Sequence, residues 1–266
     1  MKRIAWLTDI HLEFLDLHAL HAFIDHCIDS NPDIVLIGGD TGTADRVESF
    51  FKVLEARLAR PIYFVLGNHD YYHGSITHVR ALVEKLSRSA QWLRWLPIEG
   101  IAQISASTGL IGHGSWADGR LGNGESSKVE LNDYYLIKEL TGLLRQHRFM
   151  QLAMLGDQAA EYFKKILPQA CAQFSNILCL MHVPPFQDAC WYKGQISNDE
   201  YLPHFACKAV GEVLVNVMKN HPECTLTVLC GHTHSEGDVN ILPNLYVKTG
   251  RAKYGCPCLQ ELLIIE

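Results

Sequence analysis

The chain has 266 residues, 48% hydrophobic and 20% charged, with a formal net charge of −6. That length accommodates one large α/β domain with a sizeable core, and the acidic balance argues against a surface built for indiscriminate nucleic-acid binding. No run approaches the eighteen apolar residues of a membrane span, and the N-terminal apolar stretch is broken by Asp9 and His11 too early for a secretory leader. The nine cysteines are scattered, mostly in apolar runs where a reduced thiol packs as a small hydrophobe. Only Cys256 and Cys258 lie close together, and they lack the second pair a zinc site needs. A cytoplasmic location is expected.

In chain order, RIAWLT, DIVLIGG and IYFVLG are short β-branched or aromatic runs, as expected of strands buried on both faces. Between them, 16–30, 44–59 and 75–90 carry apolar residues at helical spacing, so the first ninety residues predict parallel strands joined by helical crossovers. Short strands near 101–105 and 108–112 lead into a glycine-rich loop, 112–127. Helices are predicted at 129–147 and 152–172. NILCLM is a strand ending at His182, and a proline-punctuated loop, 183–204, precedes a helix at 206–220. TLTVLC is another strand, and extended segments near 238–249 and 258–265 close the chain. No linker, repeat or composition break appears, so 1–266 is expected to form one domain.

Five of these strands deliver Asp, Asn or His at their carboxyl ends: Asp9 and His11, Asp40, Asn68 and His69, His182, and His232 and His234. Open α/β sheets bind ligands at such ends. Taken singly, each residue is a common turn or core residue; together they form the carboxylate, imidazole and amide set that divalent metals prefer, with no thiolate. The Asp-x-His and His-x-His spacings suit extended backbone, where residues i and i+2 point the same way.

The ordered set D-x-H (Asp9, His11), GGD (Asp40), GNHD (Gly67–Asp70), His182 and GHTH (Gly231–His234) resembles the calcineurin-like metallophosphoesterase superfamily. The resemblance implies an α/β fold, a four-layer αββα sandwich of two mixed sheets flanked by helices. It implies two divalent or mixed-valence metal ions (Mn, Fe or Zn), one held by Asp9, His11 and His234, the other by Asn68, His182 and His232, with Asp40 bridging. His69 would approach the substrate without binding metal; beside it, Asp70 either orients its ring or makes a plain turn contact. The expected reaction is hydrolysis of a phosphomonoester or phosphodiester by attack of a metal-bound hydroxide. A phosphorylated small molecule is the expected substrate; nucleic acid or a phosphoprotein remains open, and no membrane partner is expected. The alternative is a non-catalytic protein-interaction scaffold on the same fold.

One block departs from the family's usual GDxxD, since "GGDTGTADR" delays the next acid to Asp45. Asp45 is read as a helix cap and Arg46 as a surface charge. The loops 113–127 and 183–204 are expected to wall the pocket and set substrate choice. His113, His204, Trp116, Trp191 and Tyr192 lie in or beside them, and Lys193, Arg251 and Lys253 are the nearest candidates for a further phosphate contact.

Overall fold

β1 (Lys2–Leu7), α1 (Leu17–Asp29), β2 (Ile34–Gly38), α2 (Val47–Leu58), β3 (Ile62–Val65), α3 (Ile76–Ser89) and β4 (Leu93–Trp95) follow the alternation expected from the first ninety residues. The structure, a computed structural model, describes residues 1–124 and 126–266; Glu125, in the glycine-rich loop, lies outside the described residues. The middle of the chain gives α4 (Leu96–Glu99), β5 (Ala102–Gln103), β6 (Thr108–His113), α5 (Asp133–Leu136), α6 (Arg145–Cys171) and β7 (Asn176–Met181). Then come the ribbon β8 (Trp191–Tyr192) and β9 (Gln195–Ile196), α7 (Leu202–Phe205), α8 (Lys208–Lys219), β10 (Thr225–Cys230), β11 (Gly237–Leu242), β12 (Leu245–Thr249) and β13 (Glu261–Ile265).

Two mixed sheets result. The first has the order β13-β1-β2-β3-β4, with β13 antiparallel to β1 and the rest parallel. The second has the order β11-β12-β10-β7-β6-β5, parallel in the middle and antiparallel at both edges.

Strand alternation explains why they stack. Ile4 and Trp6 of β1 and Ile34 and Leu36 of β2 pack against Leu178 and Leu180 of β7 and Leu229 of β10 in a core between the sheets. The intervening residues face outward. Ala5, Leu7, Val35 and Ile37 meet α1, α2 and α3 through Phe23, Ile24, Phe51 and Val83. Ile177, Cys179, Val228 and Cys230 meet α6 and α8 through Phe163, Leu167, Val210 and Leu214. Three cores separate four layers, an αββα sandwich.

The helix expected at 129–147 does not form. Its place holds the single turn Asp133–Leu136, and α6 starts at Arg145 and absorbs the helix expected at 152–172. The segment's polar side chains serve other elements instead. Glu139 accepts from the backbone N–H of Ile76 and Thr77 and from Ser75 Oγ at the start of α3, and Asp133 turns inward to Asn68 and Tyr72. A helix through 129–147 would point one of them away, and Gly142, with φ 73°, ends any continuation. Asp45 is not a cap either: it accepts from Thr43 Oγ1, and Arg46 lies over the Phe50 ring.

Candidate metal centre

The strand-end residues gather at one rim between the sheets, but not by extended geometry. Asp9, His11, Asp40, His232 and His234 all have φ between 43° and 70°, half of the ten non-glycine residues with positive φ among the described residues. Asp and His tolerate this left-handed region better than most residues, at a cost of about 1–3 kcal/mol each. The expected i, i+2 strand argument is therefore replaced: each chain leaves its strand and turns left-handed, which aims the side chains inward. Asn68 is right-handed helical (φ −70°, ψ −35°) and His69–Tyr71 form a 3-10 turn, so this stretch is not a strand end either.

Two adjoining groups of donor atoms result. In the first, Asp9, His11, Asp40 and His234 each bring one atom within 4.8 Å of the others; Nε2 of His11 lies 3.2 Å from Nε2 of His234, which is 3.4 Å from Oδ1 of Asp9. In the second, Asn68 Oδ1 lies 3.0 Å from both Nε2 of His182 and Nδ1 of His232. Asp40 faces both, with Oδ2 3.8 Å from His11 Nε2 and Oδ1 3.5 Å from His182 Nε2.

The outer hydrogen bonds set what these atoms offer. His182 Nδ1 donates to Gly38 O at 2.9 Å and His232 Nε2 donates to His204 O at 3.0 Å, so each ring turns an unprotonated nitrogen inward. Asn68 Nδ2 donates to Asp133 Oδ1 at 2.8 Å, which fixes the amide with its oxygen inward. Burial lowers the pKa of His182 and His232 to about 4 and lowers that of His11, keeping these imidazoles neutral with lone pairs available. Burial, then the charges of Asp9 and Asp70, push the Asp40 carboxyl well up. Crowded lone pairs and buried carboxylates short of positive charge are what a divalent cation relieves. The donor set fits two such ions.

His69 stands at the rim with its side chain 12% exposed, stacked on Tyr72 at 4.1 Å. Asp70 does not touch its ring. That carboxylate is fully buried and accepts from the backbone N–H of Asp40, Thr41, Gly42 and Gly67 at 2.8–3.0 Å, joining the turns after β2 and β3. The acid facing His69 is Glu13, whose Oε1 lies 3.7 Å from Nδ1 of His69 and 3.4 Å from Nδ1 of His11. Burial opposes its charge, but the two histidines outweigh burial and bring Glu13 down to about 2.

Glu13 and Asp133 were not found from the sequence. Glu13 had a signal, lying two residues beyond a D-x-H block; Asp133 had none inside an expected helix. Glu13→Gln should keep both metals yet lower activity about tenfold or more, with Glu13→Ala worse, because partners of functional histidines are worth ten- to a hundredfold. Wild-type activity in both variants would show that the carboxylate does not position the rings.

Two motif glycines have a steric reason. A Cβ on Gly231 would lie 1.9 Å from Oδ2 of Asp9, and one on Gly67 would lie 2.2 Å from Oδ1 of Asp40. Gly231→Ala should weaken metal binding at least about tenfold with every donor side chain still present. Titration with manganese checks it; wild-type affinity would show that Asp9 is free to move.

The remaining candidates are placed otherwise. Nδ1 of His113 accepts from Ser115 N–H, and the ring packs on Tyr162 and Phe163. The His204 ring is buried between Ser127 and Tyr134, although its backbone carbonyl holds His232. Trp116 is buried against Tyr71, Trp191 packs on Gly237, and Tyr192 contacts Tyr201 and Phe205. Lys193 lies over Tyr192, Arg251 pairs with Glu236, and Lys253 is exposed. All nine cysteines are free thiols; Cys256 is exposed and Cys258 half-buried.

A four-layer sandwich of this kind, with adjoining nitrogen and oxygen donors at its strand ends, is the build of a metallophosphoesterase. The chain belongs to the calcineurin-like phosphoesterase family, whose model matches residues 2–236. Solved structures with a similar fold include a phosphopantetheinyl hydrolase from Mycobacterium tuberculosis (12% identity, TM-score 0.65, covering 95% of this chain and 90% of that one). A dimetal phosphatase from Danio rerio is also similar (12% identity, TM-score 0.59, covering 96% and 89%). No curated protein matches the chain in sequence. Among the described residues, no helix is long and apolar enough to cross a membrane.

Proposed function

We propose that the protein is a dinuclear metal-dependent phosphoesterase acting on a phosphorylated small molecule. The observation that carries this reading is one buried carboxylate, Asp40, facing two groups of nitrogen and oxygen donors with its two oxygens. Asp9, His11 and His234 would hold one ion and Asn68, His182 and His232 the other, with Asp40 shared. Nitrogen and oxygen donors without thiolate suit manganese, iron or zinc. Two such ions, when bound, would lower the pKa of a water and neutralise charge on phosphoryl oxygens.

The chain's own residues do the rest. His69, beside the donors and partly open to solvent, gives its Nε2 proton to the leaving oxygen as the phosphorus–oxygen bond to the leaving group breaks and water's oxygen bonds to phosphorus. Glu13 Oε1 faces Nδ1 of the same ring at 3.7 Å, which leaves Nε2 as the nitrogen that reaches substrate. Asp70 serves as a brace that fixes Asp40. The names of the similar structures, a hydrolase of a phosphopantetheinyl group and a dimetal phosphatase, agree with this class.

The test is to strip the protein with chelator, reload it with manganese, and assay p-nitrophenyl phosphate and bis-p-nitrophenyl phosphate. Metal-dependent release of nitrophenol from either is expected. No release from either, with two metals bound, would refute the reading.

A further inference from the structure

We propose that the rings of Tyr254 and Phe14 form the subsite for the leaving group, and that the group they receive carries a planar ring of the nucleobase kind. The proposal rests on the phosphoesterase reading and on four placements in the structure.

First, Glu13 takes the Nδ1 side of His69, and the polar atom facing Nε2 is the Tyr254 hydroxyl, 3.5 Å away. A leaving oxygen that receives the Nε2 proton therefore sits beside Tyr254. Second, Tyr254 stands edge-on to His11 at 4.6 Å and to His234 at 5.1 Å, so its ring covers the Asp9, His11 and His234 side of the centre. Third, Phe14 lies 4.8 Å from Tyr254 with 47° between the rings, so the two rings pack on each other and make one aromatic surface.

Fourth, both rings stay exposed, Phe14 by 53% and Tyr254 by 48%. Apolar rings held half open beside a polar centre keep faces free for another ring, which gains from stacking beyond simple burial. Neither position is loose. Phe14 ends the 3-10 turn Leu12–Phe14 directly after His11. The Tyr254 segment is pinned where Ala252 N–H donates to His234 O, and by the turn Cys256 N–H to Lys253 O. Trp116, Trp191 and Tyr192, the aromatic residues of the neighbouring loops, are engaged within the fold.

The test compares adenosine 5′-monophosphate with ribose 5-phosphate, which share the leaving oxygen and differ by the base. Affinity for manganese-loaded protein is measured by calorimetry, alongside metal content and turnover. Wild type should bind the adenosine ester about three- to tenfold tighter, the range stacking supplies. Tyr254→Phe should keep that ratio, while Tyr254→Ala and Phe14→Ala, with metals retained, should bring it close to one. Equal affinities in wild type, or a preference that survives Tyr254→Ala, would overturn the proposal. Tighter binding of n-hexyl phosphate than of the adenosine ester would assign the aromatic surface to a flexible chain and overturn the planar-ring claim. A base preference that depends on Tyr254, without turnover of any ester, would uphold the subsite and remove only the phosphoesterase reading.

Discussion

Replacing Asp40 by asparagine is expected to remove bound metal and lower turnover about a thousandfold or more, while the fold survives. The magnitude follows from the several kcal/mol that metal ions contribute to phosphoryl transfer, at 1.36 kcal/mol per tenfold in rate. The fold should survive because asparagine matches the size of this buried side chain and its oxygen still accepts from His69 N–H, a bond made at 2.8 Å in the native site. Metal-free protein should even gain stability from the change. Burial, then the charges of Asp9 and Asp70, push the Asp40 carboxyl well up, and an amide has no charge to bury beside them. The sign reverses when metal is added. Ligand binding stabilises only the state that binds, so manganese should raise the melting temperature of wild type and not of Asp40→Asn. A variant that binds two metals and turns over normally would remove Asp40 from the centre.

His69→Asn should have the second largest effect, and its signature is selectivity. General acid help is worth typically about a hundred- to ten-thousandfold and matters most for poor leaving groups. The variant should keep both metals and lose far more activity on an alkyl phosphate than on the p-nitrophenyl ester. His69 is placed for this by the 3-10 turn at His69–Tyr71, the Tyr72 ring stacked beneath, and Glu13 on the Nδ1 side. Equal losses on both esters would make His69 an electrostatic clamp on the phosphoryl oxygens, and loss of metal would make it a ligand.

The layers were legible because burial on both faces leaves near-continuous apolar runs, and three crossovers repeat one after another before residue 90. The second sheet was less so. β5 has two residues, and β11 and β12 form an edge hairpin of mixed burial, so pattern alone could not say which sheet they join. Which residues converge was readable from five strand ends bearing the same chemistry. How they converge was not, since left-handed φ at Asp and His leaves no mark in a sequence. Asp70 shows the same limit. An acid beside a functional histidine suggests an orienting partner, but four backbone amides from two turns claim it first. The residue that faces the histidine, Glu13, lies 56 positions away in the chain, and only the fold brings them together.

The central claim is that two cations share Asp40, and anomalous diffraction from crystals of the manganese-loaded protein tests it most directly. Two peaks roughly 3.5–4 Å apart are expected, one among Asp9, His11 and His234, the other among Asn68, His182 and His232, with Asp40 between them. A single peak, or a pair in which Asp40 touches only one ion, would contradict the account.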